Sequence, residues 1–195
     1  MVRKRTTEEL VAVKPSPEEF LQLPRHPIVV LLNDVRSLMN VGLCFRVSDA
    51  AMIEKLYLTG ITGYPPVPGD TRRPKQLHHA QQEIEKTAIK TVPFVPWERR
   101  ENALELVGEL KTKGFQILSL EQTEGSIDYL AAPYQPPLCV ILGHERAGVS
   151  AELLQASDLR LEIPMYGIGN SHNVAVSPAV VLYEILELIP NRRKL

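Results

Sequence analysis

The chain has 195 residues, 44% of them hydrophobic, and a net charge of −1. It is long enough for one domain with a full core. No apolar run approaches the ~20 residues that cross a bilayer. The charged start MVRKRTTEEL lacks the apolar centre of a signal peptide, so a cytoplasmic protein is expected.

Residues 1–26 form a short N-terminal extension, in which Ser16-Pro17-Glu18-Glu19 has the order of a helix start: cap, proline, then acids. PIVVLL (27–32) predicts a buried strand, with a helix from Asn40, a plausible cap, to Ile53 and a strand at KLYLTG (55–60). The proline-rich, basic stretch 61–75 is a loop, followed by a polar helix over 76–87. TVPFVPW (91–97) reads as a proline-interrupted edge strand. An amphipathic helix over 98–113, carrying Leu104, Val107 and Leu110, stops at Gly114. Strands follow at 115–120, 138–143 and 159–164, with a short helix capped by Ser150 and a last helix over 173–189. Residues 191–195 are a basic tail.

Strands therefore alternate with helices, and the strands are continuous apolar runs. That pattern predicts an α/β fold with a parallel sheet covered on both faces. In such sheets ligands bind beyond the C-terminal strand ends. Cys44 and Cys139 lie in apolar segments without metal-ligand spacing and read as buried free thiols. The basic clusters Arg3-Lys4-Arg5, Arg72-Arg73 with Lys75, Arg99-Arg100 and Arg192-Arg193-Lys194 are either solvated charges or phosphate contacts.

Three strand ends carry unusual chemistry. In the first, Arg46 sits between Phe45 and Val47, six residues after Asn40, and needs a carboxylate partner or an external anion. In the second, Gly143 and Gly148 bracket His144-Glu145-Arg146. Glu145 is an exposed turn acid or orients a base, a ribose or an arginine. The third end delivers Ser171, His172 and Asn173 to a helix start, more polar groups than a cap requires. A serine hydrolase reading fails because no G-x-S-x-G elbow is present, and the usual nucleotide folds lack support because no Walker loop or G-x-G-x-x-G follows the first strand.

Taken in order, these stretches resemble the SpoU/TrmH family of RNA ribose 2'-O-methyltransferases, within the SPOUT superfamily. The resemblance covers residues 27–190 and rests on the Asn40/Arg46 pair, on Gly143-His144-Glu145-Arg146-Ala147-Gly148, and on Ile163-Pro164-Met165-Tyr166-Gly167 followed by Ser171-His172-Asn173-Val174-Ala175. EKTAIKTVPFVPWE (85–98) is similar to a further family stretch. His144 stands where the family has asparagine, His172 where it has leucine, and Ala175 where serine is common.

The resemblance implies a parallel-sheet α/β methyltransferase fold with a C-terminal trefoil knot, an exception to the rule against knotted chains. It implies S-adenosylmethionine as cofactor, with Leu120, Gly143, Ile163 and His172 lining its pocket and Met165 nearby. It also implies a homodimer acting on RNA, tRNA favoured and rRNA the alternative, with no metal and no membrane. Arg46 is the expected central catalytic residue, with Asn40, Glu145, Ser171 and Asn173 orienting Arg46, the ribose and the cofactor. A guanidinium stays protonated in water, so literal base catalysis is unfavourable. Binding a phosphate and hydrogen-bonding the 2'-oxygen is the expected role. Two other readings of the same residues are a non-catalytic dimeric RNA- or nucleotide-binding module and a base methylase.

Overall fold

Seven strands in the order β3-β2-β1-β6-β4-β7-β5 form the backbone of the protein, which a computed structural model describes over residues 2–189. The strands are β1 His26–Asn33, β2 Ile53–Thr59, β3 Trp97–Arg99, β4 Gln116–Leu120, β5 Ile127–Asp128, β6 Leu138–Leu142 and β7 Leu159–Glu162. Every pairing among them is parallel. The helices are α1 Thr7–Ala12, α2 Pro17–Leu21, α3 Leu38–Ala50, α4 Pro74–Ala88, α5 Ala103–Thr112, α6 Ala151–Ala156 and α7 Ser177–Leu188.

The apolar runs divide their side chains between two cores, as a doubly covered sheet requires. Ile28, Val30 and Leu32 of β1 join Cys44 and Phe45 of α3, Ile84 of α4 and Val181, Leu182 and Ile185 of α7. Val29 and Leu31 join Leu106, Val107 and Leu110 of α5 and Leu153 of α6. Each such fully buried side chain contributes roughly 1.5–3 kcal/mol relative to leaving it in water. Both cysteines are buried free thiols, and burial pushes Cys44 up to about 12.

Several boundaries differ from the sequence reading. Ser37, not Asn40, caps α3, its hydroxyl accepting from the Asn40 N–H at 3.3 Å. Asn40 is thereby the third residue of the helix, free to use its amide elsewhere. Residues 91–97 are not one strand: Pro93 sits in a 3-10 turn, Val92–Phe94, before the short edge strand β3. Helix α5 begins only after Asn102, whose side chain caps two N–H groups, and Leu104 lies on its exposed side. Helix α7 starts at Ser177, four residues later than its apolar pattern suggests, because Asn173 holds the preceding turn. Helix α1, with its Thr6–Glu9 capping box, and the two-residue β5 carry too little apolar signal to be read from sequence.

The extension docks at the N-terminal strand ends. Phe20 meets Phe94 edge to face at 5.9 Å, and Arg25 donates to the carbonyls of Phe94 at 2.6 Å and Ile53 at 3.3 Å. The basic tail, residues 191–195, lies outside the described residues. No described helix is long and apolar enough to cross a membrane, and no cluster suited to a metal ion occurs among the described residues.

The topology sets the site. From β1 the chain steps outward to β2 and β3, then crosses to β4 and β5. The late strands β6 and β7 slot between β1 and β4 and between β4 and β5. The direction of winding thus reverses beside β1, and the loops leaving β1, β6 and β7 converge at the same end of the sheet.

Candidate active site

The turn after β1 is braced before it meets the other loops. Asp34 takes a left-handed conformation (φ 60°), and its carboxylate accepts from Ile61 N–H at 2.9 Å and from the Asn33 amide at 2.8 Å. The buried Thr62 hydroxyl accepts from Val35 N–H at 3.0 Å and donates to Leu32 O at 3.1 Å. Asp34 and Val35 are therefore pinned to the loop that follows β2.

The loop after β6 is a tight hairpin. His144 and Gly148 exchange both backbone hydrogen bonds, at 3.0 and 2.8 Å. The His144 ring closes the turn: its Nδ1 accepts from the N–H groups of Arg146 and Ala147 at 3.0 and 3.1 Å. An asparagine side-chain oxygen accepts in this way in ordinary turns, so His144 supplies an equivalent acceptor. Glycine is required here. A Cβ on Gly143 would lie 2.2 Å from the backbone carbonyl of Gly148, and Gly148 itself has φ +70°. Gly143→Ala is expected to destabilise the fold by about 1–3 kcal/mol and to abolish ligand binding in the adjoining cleft. Thermal melting and cofactor titration of the variant measure both effects.

This hairpin presents Glu145 to the β1 turn. One carboxylate oxygen accepts from Ser37 N–H at 2.9 Å and from the Asn40 amide at 3.0 Å; the other accepts from Arg36 N–H at 3.1 Å. The Asn40 side-chain oxygen in turn accepts from the Asn173 amide at 3.2 Å, and the Asn173 oxygen accepts from Ala175 N–H at 2.8 Å. Glu145, Asn40 and Asn173 thus form a continuous polar chain linking all three strand ends.

Partial burial works against ionisation of Glu145. The N–H groups of Ser37, Arg36 and Glu145 itself, with the Asn40 amide, outweigh it and hold the carboxyl below its ordinary value of 4.5. The carboxylate's contribution to the folded turn is therefore complete above 4.5 and is lost as pH falls through the depressed value. Hydrogen-exchange protection of the Ser37 and Arg36 amides should hold steady from neutrality down to pH 5 and collapse only below 4.5.

Behind the chain opens a cleft of about 360 Å³. This lies within the roughly 300–1,000 Å³ typical of small-molecule sites. Leu120, Gly143, Ile163, Ser171 and His172 line it, together with Arg146 and Val174. Met165 does not; it packs toward Gly169. Ser171 and His172 are exposed on the rim, outside the polar chain. A larger hollow of about 610 Å³, walled by Phe20, His26, Asp49 and Tyr183, lies at the opposite end of the sheet and contains none of these groups.

Arg46 is the exception. It is exposed on α3, and among the described residues it makes no hydrogen bond or ion pair, with carboxylate or otherwise. Six helical residues carry it ~9 Å along the axis from Asn40. Sequence reading missed Glu121, whose carboxylate braces the hairpin through Val149 N–H at 2.9 Å, and Gln122, which donates to Asn170 O at 2.8 Å. An acidic-polar pair directly after a buried strand was the available signal.

The fold and cleft define a parallel α/β ligand-binding protein with its site at a topological switch point. The SpoU rRNA Methylase family profile matches residues 27–183, and the chain belongs to that family. It is 32% identical over 180 residues to a 23S rRNA (guanosine(2553)-2'-O)-methyltransferase of Bacillus subtilis (strain 168), spanning 92% of this chain and 65% of that one. It is 27% identical over 166 residues to a tRNA (guanosine(18)-2'-O)-methyltransferase of Aquifex aeolicus (strain VF5), spanning 85% and 72%. The crystal structure of the A. aeolicus TrmH/SpoU tRNA modifying enzyme superposes with a TM-score of 0.70 at 26% identity, covering 86% of this chain and 78% of that one.

Proposed function

We propose that the protein transfers a methyl group from S-adenosylmethionine to a ribose 2'-OH of RNA, in the cytoplasm. The observation that carries this reading is the Glu145–Asn40–Asn173 chain standing at the mouth of a cleft suited to the cofactor. The cleft offers apolar walls in Leu120, Ile163 and Val174 for a nucleoside, and one exposed cation, Arg146, for a carboxylate. The backbone of 143–148 comes close because its glycines carry no side chain. Relatives of similar identity are named for rRNA and for tRNA, so the substrate is one of these two RNA classes.

When bound, the cofactor supplies the electrophilic methyl carbon for in-line displacement by the ribose 2'-oxygen. The chain's own groups position and polarise the nucleophile. Arg46 binds a substrate phosphate and donates to the 2'-oxygen, stabilising the negative charge that develops there as the hydroxyl proton leaves to solvent and the methyl C–S bond gives way to the new C–O bond. Asn40, Glu145 and Asn173 fix the β1 and β7 loops around the ribose, and Ser171 contacts the substrate from the rim.

Arg46 belongs to an exposed stripe of α3 with Met39 and Ala50, and α7 exposes Tyr183, with Val176 exposed just before its start. A second copy covering these helices forms a homodimer and brings its Arg46 to the rim of the neighbouring cleft. We further infer the family's C-terminal trefoil knot, a reading supported by the insertion of β6 and β7 between earlier strands. Exposed Lys4 and Arg5 are left for the body of the RNA. The reading is tested by incubating the protein with labelled cofactor and with total tRNA or rRNA; a labelled 2'-O-methylnucleoside is expected from one pool.

A further inference from the structure

The cations at the C-terminal end of the sheet separate sharply by what they touch. Arg72 forks onto Asp70, donates to the carbonyls of Tyr64 and Pro65, and stacks on the Tyr64 ring at 3.7 Å; it staples the proline-rich loop. Arg100 is bound by Glu109, and Arg99 leans on Tyr64 and the Gly60 carbonyl. Arg36 is different. Its side chain is exposed and makes no hydrogen bond, ion pair or ring contact among the described residues. Its backbone is nonetheless held: Glu145 accepts from its N–H at 3.1 Å, and Thr62 accepts from that of the preceding residue. The adjacent carboxylate is already engaged by three other donors and leaves the guanidinium for an external anion.

We propose that Arg36 is a substrate-positioning residue whose guanidinium takes a phosphodiester flanking the ribose that faces the Glu145–Asn40–Asn173 chain. The inference rests on the RNA reading above. A planar fork of donors matches a phosphate in two-point geometry. Carrying it on a pinned turn reduces the ordering cost of binding to that of one side chain. Arg36 lies outside the cofactor cleft, whereas Arg146, on the other side of Glu145, lines it. Arg36 and Arg146 thus flank Glu145 on a substrate side and a cofactor side.

The test compares the wild-type chain with Arg36→Ala, Arg36→Gln and Arg36→Lys. Methyl transfer to total tRNA and rRNA, binding of the same RNA pools across a potassium chloride series, cofactor affinity and thermal melting are all measured. Arg36→Ala and Arg36→Gln are expected to raise KM for RNA about tenfold and to reduce the salt slope of RNA binding by about one. Cofactor affinity and melting temperature should stay at the wild-type value, because Glu145 grips the backbone and not the side chain. Arg36→Lys should recover part of the loss, keeping the charge without the fork. An unchanged KM and salt slope would overturn the inference, as would a fall in kcat at normal KM. A wild-type chain that transfers no methyl but binds RNA in an Arg36-dependent way keeps the phosphate contact and removes the methylase reading. A chain that binds neither RNA pool removes both.

Discussion

Arg46→Ala should lower kcat for methyl transfer about 10²–10³-fold, the cost of removing one donor aimed at developing charge, without changing the fold. The structural half of this expectation follows from exposure: Arg46 contacts no described residue through hydrogen bonds or ion pairs. Surface substitutions of that kind usually shift stability by no more than about 0.5 kcal/mol. The functional half depends on where the guanidinium acts. Asn40 and Arg46 stand six residues apart on α3, and the guanidinium acts either within its own chain or, as proposed above, from a second copy. Co-expressing Arg46→Ala chains with Glu145→Ala chains separates the two cases. If Arg46 acts across a two-fold interface, each mixed dimer holds one complete site, and the mixture recovers about a quarter of wild-type activity. If Arg46 acts within its own chain, no site in the mixture is complete and none is recovered. Kinetics on the purified mixture, with melting curves for each parent, decide between them.

Glu145→Ala carries the second large effect, and here the fold suffers as well. The substitution leaves the N–H groups of Arg36 and Ser37 and the Asn40 amide without their acceptor. Water can reach part of this exposed turn, so the expected destabilisation is about 1–2 kcal/mol, less than three fully buried orphans would cost. Turnover should fall by about 10²-fold, because Asn40 loses the anchor that aims it at Asn173. Glu145→Gln should rescue poorly. Both carboxylate oxygens accept, and an amide replaces one of them with an NH2 group facing a donor. Melting temperature and kcat for the two variants check this; a Gln variant with wild-type turnover would show that the second acceptor is dispensable.

The parts of this molecule governed by burial were legible in the sequence. Continuous apolar runs at 27–32 and 138–143 become the central strands β1 and β6, and their neighbours pair with them in parallel. Boundaries set by competing polar groups were not. Asn40 and Ser37 are both competent caps, and only the position of Glu145, contributed by a distant strand end, shows why Ser37 caps and Asn40 reaches outward. Asn173 delays α7 for the same reason, since its side chain serves Asn40 and its carbonyl accepts from Val176 and Ser177. The sequence resemblance brought Glu145, Asn40 and Asn173 together as a group before any geometry was known. It could not place Arg46 relative to them, because no hydrogen bond or ion pair among the described residues ties Arg46 to that group. Nor could spacing reveal Arg36, whose distinction is what it does not touch.

The central claim is ribose methylation dependent on S-adenosylmethionine. The most direct test supplies the purified protein with labelled cofactor and separate pools of total tRNA and rRNA, then identifies the product nucleosides by mass spectrometry. The account predicts a labelled 2'-O-methylnucleoside from one pool, absent with Arg46→Ala. A methyl group on a base would contradict the ribose assignment, and binding of RNA with no transfer to either pool would contradict catalysis itself.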